Sequence, residues 1–358
     1  MKITFLLPLR KNNPVGGLKI MYEYANRLAE RGHQIQILHF RKKFQRYSAF
    51  MYPIARTLKE LENALFGRWF KFHKDCKLSY IRYVDDSTVP DADVIIYTWW
   101  TLGFLVEKLS ASKGVKISLI QDYETWTGNV DELHRSYNLP DIQNIVIAEY
   151  LEKIVAQYTE KPTLLLHNAI DISVFKVTTA IEDRDNRSVC MLYHKEPRKG
   201  TQYGLEALQI IQKEIPDLRA ILFGVYDDPG NFPKFVEYHK KPKNLPGLYN
   251  QAAIYFTNSL QEGWALPPAE AMACGCALVC TDIGGHHPYA NSRNAVLVNP
   301  GKPEEMADKI VDLINSPEKR ISLAKEGNRS IQQFSWDKAV HQMENYMSEL
   351  IKNRNSIL

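Results

Sequence analysis

Nothing in this 358-residue chain is long and apolar enough to span a bilayer. The longest uncharged apolar run, Val94 to Val106, has thirteen residues, including two Thr and a Gly, whereas a span needs about 20. An export signal is not expected either, because M-K-I-T-F-L-L-P-L-R is short and is cut by Pro8. Cysteine is scarce and odd in number: Cys76, Cys190, Cys274, Cys276 and Cys280. Without an export signal, reduced thiols in a cytoplasmic setting are the expectation. Cys274-Gly275-Cys276 lacks the two-residue spacer of a redox pair. No G-x-G-x-x-G opens either half, which argues against a dinucleotide oxidoreductase. Neither sign of charge dominates: 45 Lys+Arg against 41 Asp+Glu leave +4, too little to suggest a nucleic-acid partner.

What is present is ordinary globular composition, 45% hydrophobic and 24% charged, at a length that suits two domains. Short β-type runs alternate with helical patterns. Strands are expected at Ile3–Leu7, Gln34–Phe40, Val94–Thr98, Lys116–Gln121, Asn144–Ala148 and Thr163–His167, with a helix over Leu18–Arg31. The pattern restarts with strands at Val189–Tyr193, Leu218–Gly224, Ala252–Asn258 and Ala277–Thr281. Helices are expected over Gly200–Lys213, Pro267–Cys274, Pro303–Asn315, Pro317–Gln332 and Trp336–Lys352. Such alternation implies α/β architecture, two doubly wound Rossmann-like domains with parallel sheets. The break is expected near Asn168–Arg187. Two such halves would face each other across a cleft at the carboxyl ends of their strands, where open α/β folds bind ligands.

One segment departs from this rhythm. Arg41 to Lys77 holds ten Lys/Arg (Arg41, Lys42, Lys43, Arg46, Arg56, Lys59, Arg68, Lys71, Lys74, Lys77) against Glu60, Glu62 and Asp75. Aromatics are interleaved: Phe44, Tyr47, Phe50, Tyr52, Phe66, Trp69, Phe70 and Phe72. A solvated helical hairpin is the plain reading. The functional one is peripheral contact with an anionic membrane or a phosphate-bearing acceptor, with Phe66, Trp69 and Phe70 at the interface.

The densest chemistry lies in Q-E-G-W-A-L-P-P-A-E-A-M-A-C-G-C-A-L-V. Glu262 ends the turn after a strand, and Glu270 lies about one turn inside the helix begun by Pro267. Between them, loop amides at a helix N-terminus favour an anion such as phosphate. Two carboxylates beside an anion site repel it if both touch it. They fit if each accepts hydrogen bonds from hydroxyls, and a nucleotide sugar offers a ribose diol, a diphosphate and sugar hydroxyls in that arrangement.

With P-V-G-G-L-K-I-M-Y-E-Y-A-N-R-L-A-E-R-G-H, H-N-A-I-D-I-S-V-F, P-R-K-G, E-G-W-A-L-P-P-A-E, T-D-I-G-G and F-S-W-D in this order, nearly the whole chain resembles the family 4 retaining glycosyltransferases. The resemblance implies the GT-B fold, with an acceptor domain over 1–168, a nucleotide-sugar domain over 169–335, and a helix, 336–358, crossing back to the first. It implies that Glu270 binds ribose hydroxyls and Glu262 donor-sugar hydroxyls. The amides of Ala265 and Leu266, beside Gly263 and Trp264, would hold diphosphate or sugar, and Lys199 matches the family's diphosphate lysine. The family's Arg five residues before that Lys is His194 here, so Lys195 or Arg198 would have to compensate. Gly16 and Gly17 match the glycine loop of the first domain, where backbone approaches phosphate or acceptor closely. An ordinary strand–helix turn is the other reading.

Q-D-Y-E-T-W closes a strand where family members carry a His or Asp beside the donor sugar. Gln121, Asp122, Tyr123 and Glu124 are the candidates, though Asp122 could simply cap the next segment. Q-D-Y-E and E-G-W also resemble some bacterial polysaccharide rhamnosyltransferases. Trp99 and Trp100 follow a strand, and could stack on acceptor sugar rings or pack under a helix. Asp91-Ala92-Asp93 has the D-x-D form of metal-dependent glycosyltransferases but precedes its strand, at the wrong end for the cleft. His286-His287 lacks a third ligand. The resemblance therefore implies metal-independent transfer of a hexosyl or deoxyhexosyl group, with no cofactor, from a UDP, dTDP or GDP sugar to a glycan or lipid-linked saccharide in cell-surface polysaccharide synthesis. Glu262, Lys199, Asp122 and Glu124 are its catalytic candidates, and Trp99, Trp100 and Tyr123 would meet acceptor. A cytoplasmic enzyme, at the inner face of the membrane if the basic segment docks there, is the expectation. A catalytically silent sugar-nucleotide- or membrane-binding subunit and an epimerase of the same fold are the alternatives.

Overall fold

The structure, a computed structural model, describes residues 1–9, 12–48, 50–66, 69–230 and 232–356, with the main chain alone at 63–66. Arg68 and the Phe66 side chain of the basic segment lie outside the described residues. The chain divides into two compact units, Met1–Asn168 with Ala339–Leu358, and Ala169–Lys338.

The first unit is built on seven strands: β1 (Lys2–Leu7), β2 (Gln34–Phe40), β3 (Cys76–Ile81), β4 (Val94–Tyr97), β5 (Val115–Ile120), β6 (Ile142–Val146) and β7 (Thr163–Leu165). Their spatial order is β3-β2-β1-β4-β5-β6-β7, all parallel, with Leu6 opposite both Leu38 and Tyr97. Every residue of β4 and β5 is buried, Lys116 and Ser118 included, as a sheet covered by helices on both sides requires. Helix Gly16–Glu30 lays Leu18, Met21, Tyr22, Ala25 and Leu28 on the sheet, and Gly32, at φ 86°, turns the chain into β2. The last helix, Trp336–Asn355, belongs to this unit from Ala339 onward. There Glu344 meets Arg31 and takes His33 Nε2 at 2.7 Å, while Gln342 donates to the Leu165 carbonyl.

The second unit repeats the plan with β8 (Ser188–Leu192), β9 (Arg219–Gly224), β10 (Val236–Lys240), β11 (Ile254–Thr257), β12 (Ala277–Thr281) and β13 (Val296–Val298), in the order β10-β9-β8-β11-β12-β13. Val189, Leu222, Phe256 and Val279 pack with Leu208, Ile211, Ile310 and Leu313 of the covering helices in one apolar core. Arg184, 6% exposed, is paired here with carbonyls rather than a carboxylate: it donates to Cys274 O at 2.6 Å, Thr179 O at 3.0 Å and Ala252 O at 3.1 Å. Cys274 ends helix Leu266–Ala273, so a guanidinium sits where that helix's dipole is negative.

Three strands differ from the sequence expectation. β3, β10 and β13 were not anticipated, and all three are edge strands. C-K-L-S-Y-I and V-E-Y-H-K carry exposed charge that removes the apolar run, as edge strands do. The expected helical hairpin over Arg41–Lys77 is instead a short 3-10 turn, Lys42–Arg46, one helix, Met51–Phe66, and β3. Its aromatics divide. Phe44 is buried, and Trp69, Phe70 and Phe72 pack around Tyr22 at centroid distances of 5.7, 5.1 and 4.8 Å, so Trp69 and Phe70 serve the unit's own core.

Candidate active site

In both sheets the chain reverses direction of winding between the first and fourth strands, and the crevice at that switch point lies beyond the carboxyl ends. In the second unit those strands are β8 and β11. The loop after β8 runs through His194 to the turn Pro197–Lys199, then Gly200 and helix Thr201–Glu214. Thr201 Oγ1 closes it, accepting from His194 N at 3.0 Å and donating to His194 O at 2.7 Å. Gly200 has φ 62°, and a Cβ there would lie 1.9 Å from the Asn258 carbonyl. The loops after β8 and β11 thus touch backbone to backbone, and Leu260 N adds a 2.7 Å bond to Arg198 O.

That contact brings Lys199 to Glu262. Lys199 Nζ lies 2.9 and 2.7 Å from the two carboxylate oxygens, and the side chains are 19% and 11% exposed. Ser259 Oγ donates to Glu262 Oε1 at 2.8 Å, and Ser259 O accepts from Thr281 Oγ1. Burial alone would push the Glu262 carboxyl up. The Lys199 ammonium, with His286 and the Ser259 hydroxyl, outweighs it and holds Glu262 below the usual carboxylate range. Behind it the turn after β12 presses close, since a Cβ on Gly285 would meet Glu262 O at 2.2 Å.

Glu270, 3% exposed, stands in helix Leu266–Ala273 and accepts from Tyr249 OH at 3.4 Å. Prolines 267 and 268 fill the first turn of that helix without N–H groups. The Ala265 amide points to Gly285 O at 3.4 Å. Gly263 is buried, and the Trp264 side chain packs into the core between Tyr289 and Phe334, leaving its main chain as what it can offer a ligand. His194 Nδ1 accepts from Glu196 N at 3.1 Å, and Tyr226 OH lies 3.4 Å from Nε2. Burial, then the Lys199 charge, lowers the His194 pKa, so this imidazole is neutral near pH 7 and supplies no standing cation. Arg198 Nε binds Glu196 at 2.5 Å.

In the first unit the corresponding loops follow β1 and β4. Gly16 and Gly17 open helix Gly16–Glu30. Gln121, just beyond β5, ties the loops together by donating to Gly17 O at 3.1 Å and Thr98 Oγ1 at 3.0 Å. Trp99 is 41% exposed at φ 81°, a strained backbone for a side-chain-bearing residue. Trp100 is buried and donates to Thr127 Oγ1 at 2.6 Å. A depression at this edge is lined by Trp99, Gln121, Asp122, Glu124 and Tyr137. Asp122 accepts from Tyr123 N at 2.9 Å and Tyr150 OH at 3.4 Å. Glu124 caps the short turn Thr125–Thr127 through its carbonyl. Tyr123 bonds His134 Nε2 at 2.8 Å, and the two rings lie nearly parallel.

Residues 188–316, from β8 through helix Pro303–Asn315, match the family model for glycosyl transferases group 1. Over nearly its whole length the chain superposes on Anabaena HepE in complex with UDP, with a TM-score of 0.76, 16% identity, and 98% and 100% of the two chains covered. The fold is GT-B. Among sequence relatives, spore coat protein SA of Bacillus subtilis (strain 168) is 29% identical over 178 residues, 44% of this chain and 46% of that one. D-inositol 3-phosphate glycosyltransferase of Corynebacterium glutamicum (strain R) is 25% identical over 178 residues, 45% and 43% of the two. The chain spans less than half the length of these curated relatives.

Within the GT-B frame, some side chains around the candidate site carried no sequence signal. Ser259 orients Glu262, Thr201 folds the loop before Lys199, and Tyr249 meets Glu270. The first two act across turns and the third between two helices, where no spacing reveals them. His286 and His287 diverge: His286 Nδ1 bonds Thr281 O at 2.8 Å, and His287 Nε2 bonds Asp282 at 2.5 Å. Asp91 is taken by Lys113 and Ser112, and Asp93 by the Lys2 amide, all at the amino ends of the strands.

Proposed function

We propose that this GT-B chain transfers a hexosyl or deoxyhexosyl group from a nucleoside diphosphate sugar (UDP, dTDP or GDP) to a glycan or lipid-linked saccharide, with retention and without a metal ion, in cell-surface polysaccharide synthesis. The observation that carries this reading is the Lys199–Glu262 pair held across the β8/β11 switch point, with Glu270 one helix further on. That HepE is solved with UDP on the same fold favours a uridine nucleotide.

Lys199 divides its charge between Glu262 and the incoming diphosphate, and so stabilises the leaving group as negative charge develops on it. Glu262, freed in part, accepts hydroxyls of the donor sugar, and Glu270 those of the ribose. The Leu266 amide, joined by that of Ala265 once it leaves Gly285 O, completes the anion site. The departing phosphate takes the acceptor proton, so no separate base dyad is needed. In the first unit, Trp99 offers an apolar ring face to acceptor, Tyr123, Asp122 and Glu124 its polar contacts, and Gly16 and Gly17 a close backbone approach. Peripheral contact with the cytoplasmic membrane face belongs to the same reading.

The test pairs two isosteric changes. Glu270→Gln should weaken UDP binding about 10- to 100-fold, the worth of a charge-assisted hydrogen bond. Glu262→Gln should lower kcat for donor turnover while leaving UDP affinity within a few-fold. Wild-type kinetics in both, or loss of all activity in EDTA with recovery on adding Mg²⁺ or Mn²⁺, would overturn the assignment.

A further inference from the structure

Helix Met51–Phe66 is amphipathic, but it faces the unit the wrong way round. Its inward residues are Tyr52, whose OH donates to Tyr80 O at 3.1 Å, and Lys59, 7% exposed and paired with Glu62 at 2.8 Å. Its outward residues are Met51, Ile54, Leu58 and Leu61, 44%, 43%, 62% and 53% exposed, preceded by Phe50 at 78%. Spacings of three, four and three place these on one stripe. A surface helix normally turns such a stripe to the core, and a contiguous exposed apolar patch marks an interaction site.

The patch has a charged border. Lys42, Lys43 and Arg46, in the turn just ahead of the helix, are all exposed. The two strips together match an anionic lipid surface, with apolar side chains entering the acyl boundary and cations meeting headgroup phosphates.

We infer that Phe50, Met51, Ile54, Leu58 and Leu61 are the membrane-inserting face of this protein, with Lys42, Lys43 and Arg46 as its headgroup contacts. This rests on the peripheral-membrane part of the proposed function and relocates the contact: Trp69 and Phe70, the aromatics the sequence singled out, are packed on Tyr22. It also narrows the acceptor to one presented at a lipid surface, because an enzyme bound there meets lipid-linked saccharide at its working height.

The experiment measures co-sedimentation of the full chain with vesicles of equal parts phosphatidylglycerol and phosphatidylcholine, and with phosphatidylcholine alone. UDP affinity is measured separately in the absence of lipid. The wild type should bind the anionic vesicles, less so as salt rises, and leave a salt-resistant fraction from the apolar stripe. Lys42→Gln/Lys43→Gln/Arg46→Gln should weaken binding on the order of a hundredfold. Leu58→Asp/Leu61→Asp should abolish the salt-resistant fraction, and Phe50→Ser, at the most exposed position, should reduce it if the double variant misfolds. UDP affinity should be unchanged in all three. Absence of vesicle binding at low salt overturns the inference, as does wild-type binding in the stripe variants. So does a concentration-dependent dimer that the stripe variants dissolve, which would assign the face to a second copy. Failure to bind UDP, dTDP and GDP alike counts instead against the transferase reading and leaves the vesicle result to be read by itself.

Discussion

Lys199→Met gives the sharpest test of how the site is held together. The wild-type ammonium lies within 2.9 Å of both Glu262 oxygens, in side chains 19% and 11% exposed. Methionine keeps the length and removes the charge. Glu262 then keeps the Ser259 hydroxyl and the nearby His286 but loses its nearest cation, so burial acts on it with less opposition. Breaking a fully buried pair costs about 3–5 kcal/mol, and a charge-assisted hydrogen bond about 1.5–3 kcal/mol. For a pair with this much exposure we expect about 2–3 kcal/mol at pH 7. In a unit of this size that lowers Tm by roughly 4–12 °C.

The pH dependence separates this from a packing defect. In the wild type the Glu262 pKa is lowered, so its stabilisation is present above the unfolded value, about 4.3, and is lost as pH falls through the folded one. In Lys199→Met the folded pKa rises above the unfolded value, so Glu262 destabilises increasingly as pH climbs through that raised pKa. The gap between the two proteins should therefore widen from pH 4 to pH 7. Adding Glu262→Gln to the variant should restore more than half of the loss at pH 7 and little at pH 4. Differential scanning calorimetry across that range reads all of this. A gap independent of pH, or no recovery in the double variant, would refute the electrostatic account.

His194→Arg should tighten nucleoside diphosphate binding several-fold at pH 8. In the wild type, affinity should rise as pH falls and the imidazole gains the charge that burial and Lys199 now withhold, and titration calorimetry at two pH values would show whether that slope disappears in the variant. Gly200→Ala should cost about 2–3 kcal/mol, because it forces both a left-handed backbone and a clash with the Asn258 carbonyl. It should also weaken UDP binding by displacing Lys199, so a variant with wild-type Tm and UDP affinity would contradict the close approach described here.

The sequence was most readable where burial is two-sided. β4, β11 and β12 are largely apolar runs because helices cover both faces of the sheet, and their carboxyl ends locate the loops that matter. Glu262 and Glu270 were readable because a turn and a helix start fix their spacing. β3 and β10 were hidden because their edge position admits charged residues, and β13 because three residues, V-L-V, set no alternation. The basic segment misled because aromatic content does not say which side chains turn outward: Phe44 and Trp69, on either side of the helix, turn inward, whereas the plainer Leu58 and Leu61 on it turn out. Ser259 and Thr201 act within single turns, on Glu262 and His194, and Tyr249 reaches Glu270 from a neighbouring helix, and hydroxyl contacts of this kind leave no apolar period to read.

The closing helix has a bearing on synthesis. Residues 169–338 are contiguous, so the second unit holds everything it needs once its own last residue has left the ribosome. The first unit draws on both ends of the chain. Its strands are made early, yet Arg31 and His33 wait 313 and 311 residues for Glu344, and Leu165 waits 177 for Gln342. Domains generally fold as they emerge; here the half begun first is the half finished last, and Arg31, His33 and the Leu165 carbonyl meet other groups than Glu344 and Gln342 throughout the interval.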